Sequence, residues 1–126
     1  MTTSYDDQNI FARMLRGEIP NDTVAENEHA LAFRDIRPQA KVHVLVIPKG
    51  PYIAYDDFAA KASDAEIVAF NRLVAQVARQ EGIAPESGGN GFRAITNAGE
   101  DGVQEVPHFH LHLLGGNNMG RMVSRP

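Results

Sequence analysis

Cysteine is absent from the 126 residues. That excludes disulfides, a thiolate nucleophile and any zinc site built on thiolates. No apolar run approaches the roughly 18 residues that a membrane span needs. The first twenty residues hold two early acids and only a short apolar patch, without the basic start and apolar stretch of a secretory signal. A cytoplasmic protein with no membrane partner is the expectation. A surplus of positive charge is also missing. The net charge of -4 argues against binding long nucleic acids, but leaves room for a small phosphorylated ligand in a local pocket. What is present is ordinary for a folded chain, with 43% hydrophobic and 22% charged residues. A single domain over residues 1–126 is expected, long enough to bury roughly two-thirds of its unfolded surface. Residues 1–8 are expected to be mobile and 117–126 to form an irregular tail.

The most informative stretch is Gln104–Gly116, QEVPHFHLHLLGG. His108, His110 and His112 stand at every second position, with Phe109, Leu111, Leu113 and Leu114 between and after them. Alternation at period two predicts a half-buried strand. All three imidazoles would then leave one face, neighbours roughly 6 to 7 Å apart, with the Phe and Leu side chains facing a core. A helix would scatter them. Each ring keeps a polar nitrogen that needs a partner, a heavy burden for a purely structural strand. The row predicts a surface that handles protons, phosphate or metal.

Around this stretch the chain reads as alternating short elements. Asn9 caps a short helix over 10–16, in which Ile10, Phe11 and Met14 share a face and Gly17 provides the stop. Thr23–Glu26 and Ala30–Phe33 read as strands joined by an Asn27-Glu28-His29 turn. Asp35 follows the second, and its position alone favours a structural role capping a turn. Lys41–Ile47 is the strongest strand by propensity, and His43 shares a face with Leu45 and Ile47. Residues 52–62 read as irregular or weakly helical. Ser63 and Glu66 form a capping box that opens a helix of about 18 residues ending near Gly82. Phe92–Asn97 is a fourth strand. The Asn97–Gly102 turn, with Gly99 and Gly102, leads into the histidine strand and allows close backbone approach to a ligand.

Three chemistries fit the histidine row. It could be structural. It could hold a metal, since His-x-His on a strand offers two zinc ligands, although no further ligands stand at motif spacing. Or one neutral imidazole attacks phosphorus while its neighbours orient it and stabilise charge. His110, flanked on both sides, is the candidate nucleophile.

These residues resemble the H-x-H-x-H signature of the histidine triad (HIT) superfamily. NIFARMLRGEIP, LAFRDIRPQAKVHVLVIPKG and ITNAGEDGVQEVPHFHLHLLGG are similar, in that order, to segments of its Hint branch. The likeness runs from Asn9 to Gly116. Members of that branch are purine nucleoside phosphoramidases and related nucleotide hydrolases. The resemblance implies an α+β fold, with a five-stranded antiparallel sheet, a short N-terminal helix and one long helix. It implies a homodimer and hydrolysis at the α-phosphorus of a purine nucleotide, with AMP as product and no cofactor or metal. It makes His110 the nucleophile carrying the nucleotidyl intermediate, with His108 and His112 flanking it. His43, Asn97 and Gln104 line the catalytic pocket, and backbone near Gln104 to Val106 meets the phosphate. Ile10, Phe11, Phe33 and Ile36 surround the base, and Asp35 binds the ribose, which reverses the structural preference for that residue. Other members imply dinucleoside polyphosphate hydrolysis, or nucleotide or partner binding with residual hydrolysis. The chain departs from the animal Hint pattern at Glu105, where those proteins carry serine, and at its C-terminus, which lacks their Trp-Pro-Pro-Gly ending.

Overall fold

The computed structural model describes residues 4–122. Residues 1–3 of the expected mobile lead and 123–126 of the expected tail lie outside the described residues. Five strands form one antiparallel sheet: β1 (Thr23–Glu26), β2 (Ala30–Arg34), β3 (Val42–Pro48), β4 (Phe92–Ile95) and β5 (Leu111–Gly115), in the order β1-β2-β3-β5-β4. Three α-helices accompany it: α1 (Ile10–Leu15), α2 (Tyr55–Lys61) and α3 (Asp64–Gln80). The architecture is the expected α+β fold with a five-stranded antiparallel sheet.

β3 is central because both its faces are apolar. Val44 and Val46 turn to the side covered by α3, where Phe70, Leu73, Val77, Phe109 and Leu113 complete the larger core. Leu45 and Ile47 turn to the opposite side and pack with Leu31, Phe33 and Phe11. Leu45 pairs with His112 and His43 with Leu114, so these four side chains share that second face.

Local signals account for the helix ends. The Asn9 side chain accepts from the Ala12 amide at 2.9 Å and starts α1. Gly17 then takes φ +81°, a left-handed stop that a side chain would resist. Ser63 and Glu66 close the capping box of α3 in both directions, at 3.2 and 3.0 Å. The stretch read as irregular or weakly helical contains α2, a seven-residue helix that bears out the helical alternative. Its single buried side chain is Phe58, set against Phe109 and Phe70. One buried anchor in seven residues leaves no apolar stripe for periodicity to detect. Residues 116–122 form no helix or strand. No helix among the described residues is long and apolar enough to cross a membrane.

Candidate active site

The three histidines share a side but not one strand. β5 begins at Leu111, so only His112 is in the ladder, while His108 closes a bend and His110 lies between that bend and the strand. They are not an exposed row either. His108 is 0% exposed and His110 is 6% exposed. The alternation expected for the intervening residues holds, with Phe109, Leu111 and Leu113 facing the α3 core. The ring of His110 stands instead against Phe11, edge to face at 5.0 Å, and against His112 at 5.1 Å.

Backbone partners fix the protonation pattern of each neutral ring. His108 Nε2 lies 2.8 Å from the Pro48 carbonyl, which only accepts, so Nε2 carries the proton. His108 Nδ1 accepts from the Tyr5 hydroxyl at 2.6 Å. His110 Nδ1 lies 2.8 Å from the His108 carbonyl and must donate. The neutral His110 ring therefore holds its lone pair on Nε2. Nε2 has no partner among the described residues. No described side-chain polar atom is both shielded from solvent and unpartnered, so this nitrogen reaches solvent. On the far side, the Gln39 amide donates to His43 Nδ1 at 3.0 Å. His43 Nε2–H then donates to His112 Nδ1 at 2.9 Å. His112 is left with a protonated Nε2.

Burial keeps all four rings neutral. It pushes His108 down to about 4, against the opposing pull of the Pro48 carbonyl. It pushes His112 down to about 4 as well, helped by the neighbouring His110 and His43. His110 is also lowered by burial, opposed by its bond to the His108 carbonyl and by Asp35 and Glu105. His43 is lowered by burial, with Asp35 opposing. A neutral, partly desolvated imidazole with a free Nε2 is the state in which the ring is nucleophilic.

Asp35 fills the structural role weighed for it and also stands beside the histidines. One carboxylate oxygen accepts from the Arg37 amide at 2.7 Å and closes a turn. The other lies 3.5 Å from His43 Nε2 at the edge of the site. Asp35, His43 and His112 bring one donor atom each to within 4.8 Å of one another, the separation a metal would need. Their hydrogen bonds do not fit that use. The Gln39 amide takes the lone pair of His43 Nδ1, and the remaining nitrogen is protonated and aimed at His112. The Gln39 backbone, His43 and His112 form a hydrogen-bonded chain from backbone to imidazole, with Asp35 beside it.

The loop before the triad is braced from within. Gln104 Oε1 accepts from the Gly99 amide at 3.0 Å, and Nε2 donates to the carbonyls of Ile53 at 2.6 Å and Val106 at 3.0 Å. Both of its donors are engaged within the loop, so they brace it. A Cβ on Gly102 would lie 2.6 Å from the Ala98 carbonyl oxygen. That glycine is required by the tight crossing of the loop's own backbone. Val103 adopts φ +56° while 70% exposed. Asn97 falls beyond the end of β4, half-buried, and its side-chain amide has no partner among the described residues. Glu105 is exposed and Val106 packs against the Phe11 cluster.

Of the residues expected around a base, Phe11 and Phe33 meet edge to face at 5.4 Å and form a buried floor. Ile10 and Ile36 lie outside that floor, 44% and 90% exposed. Sequence reasoning missed two residues that hold the triad. Thr96 Oγ1 donates to the His110 carbonyl at 2.8 Å. Tyr5 caps His108 from a distance of 103 positions along the chain. Neither lies within a spacing pattern that would mark it.

The HIT domain family model matches residues 16–119. A 13.2 kDa HIT-like protein from Azospirillum brasilense is 52% identical over 125 residues, covering 99% of each chain. The purine nucleoside phosphoramidase of Escherichia coli K12 is 40% identical over 118 residues, covering 94% of this chain and 95% of its own. The solved structure of a histidine triad protein from Clostridium difficile superposes with a TM-score of 0.78 at 36% identity, over 90% of this chain and 95% of that one.

Proposed function

The chain belongs to the HIT domain family, and on that premise we propose that it hydrolyses purine nucleotide derivatives at the α-phosphorus, through a nucleotidyl intermediate on His110. The observation that carries this reading is the His110 tautomer. Its Nδ1–H is committed to the His108 carbonyl at 2.8 Å, which leaves the Nε2 lone pair facing solvent. The phosphoramidase activity of the E. coli relative supports a P–N bond as the bond broken.

In the first step His110 Nε2 attacks the α-phosphorus, an Nε2–P bond forms and the P–N bond breaks. The amine leaves with a proton drawn from solvent, and the water of the second step returns one to solvent. The phosphorylated ring bears a positive charge, eased because Nδ1–H already points at a carbonyl oxygen. In the second step water attacks phosphorus, the Nε2–P bond breaks, AMP leaves and His110 returns to its neutral form. His112, held with Nε2 protonated by the bond from His43, donates to a non-bridging phosphate oxygen as charge gathers there. Phe11 and Phe33 offer the base an aromatic floor, with Ile10 and Ile36 as its rim. The Asp35 oxygen beside His43 accepts from the ribose hydroxyls, and the free Asn97 amide reaches the phosphate side. Holding base and sugar aligns phosphorus with nitrogen, the main gain such a site provides.

Among the described residues the edge strand β4 pairs only with β5, and it exposes Phe92 at 41%. That unpaired edge supports a homodimer through this side of the sheet. The activity test is incubation with adenosine 5′-phosphoramidate. Release of AMP and ammonia by the wild-type protein, lost in His110→Ala, supports the reading. Absence of turnover across phosphoramidates, with tight AMP binding retained, would replace it with a nucleotide-binding role.

A further inference from the structure

We infer that Tyr5 is a positioning residue for the nucleophile, acting through His108. The inference rests on the reaction proposed for His110, but its structural half can be read without turnover.

His108 is the most enclosed polar residue of the site, at 0% exposure. Its ring has two nitrogens to satisfy. Nε2–H reaches the Pro48 carbonyl at the end of β3, at 2.8 Å. Nδ1 is met only by the Tyr5 hydroxyl, at 2.6 Å, and the two rings stand edge to face at 5.7 Å. The pair therefore pins the imidazole between β3 on one side and the segment leading into α1 on the other. Pinning the ring pins the residue's own carbonyl, which accepts from His110 Nδ1–H. The run is continuous: Tyr5 hydroxyl, His108 ring, His108 carbonyl, His110 Nδ1, and finally the lone pair on His110 Nε2.

Direction matters in this run. Because the Pro48 carbonyl keeps the ring proton on Nε2, His108 Nδ1 must accept and the phenol is its donor. With the hydroxyl gone, Nδ1 becomes a buried acceptor without a donor, an arrangement that proteins avoid. The ring then gains by flipping or by drawing in water. Either movement carries the carbonyl away from His110 and lets that ring exchange tautomers, which places a proton on the attacking nitrogen for part of the time. Burial also raises the Tyr5 hydroxyl above its ordinary value, so it remains a donor at neutral pH. Tyr5 approaches from the segment just ahead of α1, and Asn9 anchors that segment by donating to the Asp6 carbonyl at 2.7 Å while capping the helix.

Tyr5→Phe removes one oxygen and keeps the ring, so the fold is retained. Two readouts are taken on it: steady-state kinetics with adenosine 5′-phosphoramidate, and 15N spectra of the histidine side chains at pH 7.5. The inference expects kcat to fall about tenfold, with KM changed less than about twofold because Tyr5 does not touch the substrate. It expects the His108 Nδ1 resonance to move toward that of an unbonded imine nitrogen, and His110 to lose its single tautomer. Wild-type kcat in Tyr5→Phe, or a His110 tautomer identical to that of the parent, would overturn it. A lower melting temperature with both readouts unchanged would mean that Tyr5 only supports the fold, and would overturn it equally. If the wild-type protein itself fails to hydrolyse the phosphoramidate, the proposed reaction fails, while the 15N spectra still decide the role of Tyr5.

Discussion

His43 donates from Nε2 to Nδ1 of His112 across 2.9 Å, joining the neighbouring strands β3 and β5 inside the site. The bond makes His112 a donor at Nε2, ready for a phosphate oxygen. His43→Phe keeps a ring in place and removes both bonds of the imidazole. Turnover is expected to fall roughly ten- to a hundredfold, with the Gln39 amide left unpaired at a cost of about 1–2 kcal/mol. Kinetics and urea unfolding on one preparation check the two effects together. Unchanged kcat would remove His43 from the proton chain.

The pH dependence of stability follows from burial of the rings. An unfolded histidine titrates near its ordinary value of 6.5, whereas His108 and His112 are held down to about 4. Between those values the unfolded chain binds more protons than the folded one. The contribution is therefore fully present above pH 6.5 and is lost as pH falls toward 4. For the fully buried His108 alone it amounts to about 3 kcal/mol. Urea midpoints at pH 7.5 and pH 5 should differ, with the lower midpoint at pH 5. Equal midpoints would contradict the burial of these rings.

Gln104 is a brace whose two donors and one acceptor are all used. Gln104→Glu turns both donors into acceptors facing the carbonyls of Ile53 and Val106. A loss of about 2 kcal/mol in stability is expected, together with faster hydrogen exchange at the Gly99 amide. Retained protection at Gly99 would show that the loop does not depend on this side chain.

Val103 is a β-branched residue at φ +56°, with 70% of its surface exposed. The strain of that conformation outweighs the little packing a valine there can contribute. Val103→Gly should raise stability by about 1 kcal/mol, read as a higher melting temperature. A lower melting temperature would mean that the side chain makes contacts in solution that offset the strain.

Much of this architecture was legible because single residues carried strong local rules. Alternation assigned Phe109, Leu111 and Leu113 to one face and the histidines to the other. The Ser63–Glu66 box marked the start of α3 at the right residue. The β-branched run through Val42–Ile47 marked the central strand. What stayed hidden depends on contacts distant in sequence. The β3–β5 ladder stops at Leu111, paired with Val46, and Pro48 has no N–H with which to extend it. The chain leaves the ladder there, and the Phe109 amide bonds to the Tyr52 carbonyl at 2.8 Å instead. His108 consequently turns inward, where period two alone would have kept it in an open row. The tautomers were equally hidden, since they follow from the carbonyls of Pro48 and His108 and from a phenol at position 5, none of which any motif records. α2 registered only as weakly helical because Phe58 is its one buried anchor.

The most direct test is to trap the covalent species. Mixing the protein with adenosine 5′-phosphoramidate, quenching within milliseconds under alkaline conditions and measuring intact and peptide masses should reveal one added adenosine monophosphate. The adduct should map to residue 110, be labile in acid and be absent from His110→Ala. Turnover at the wild-type rate with no adduct at any quench time, or an adduct that persists in His110→Ala, would contradict the account.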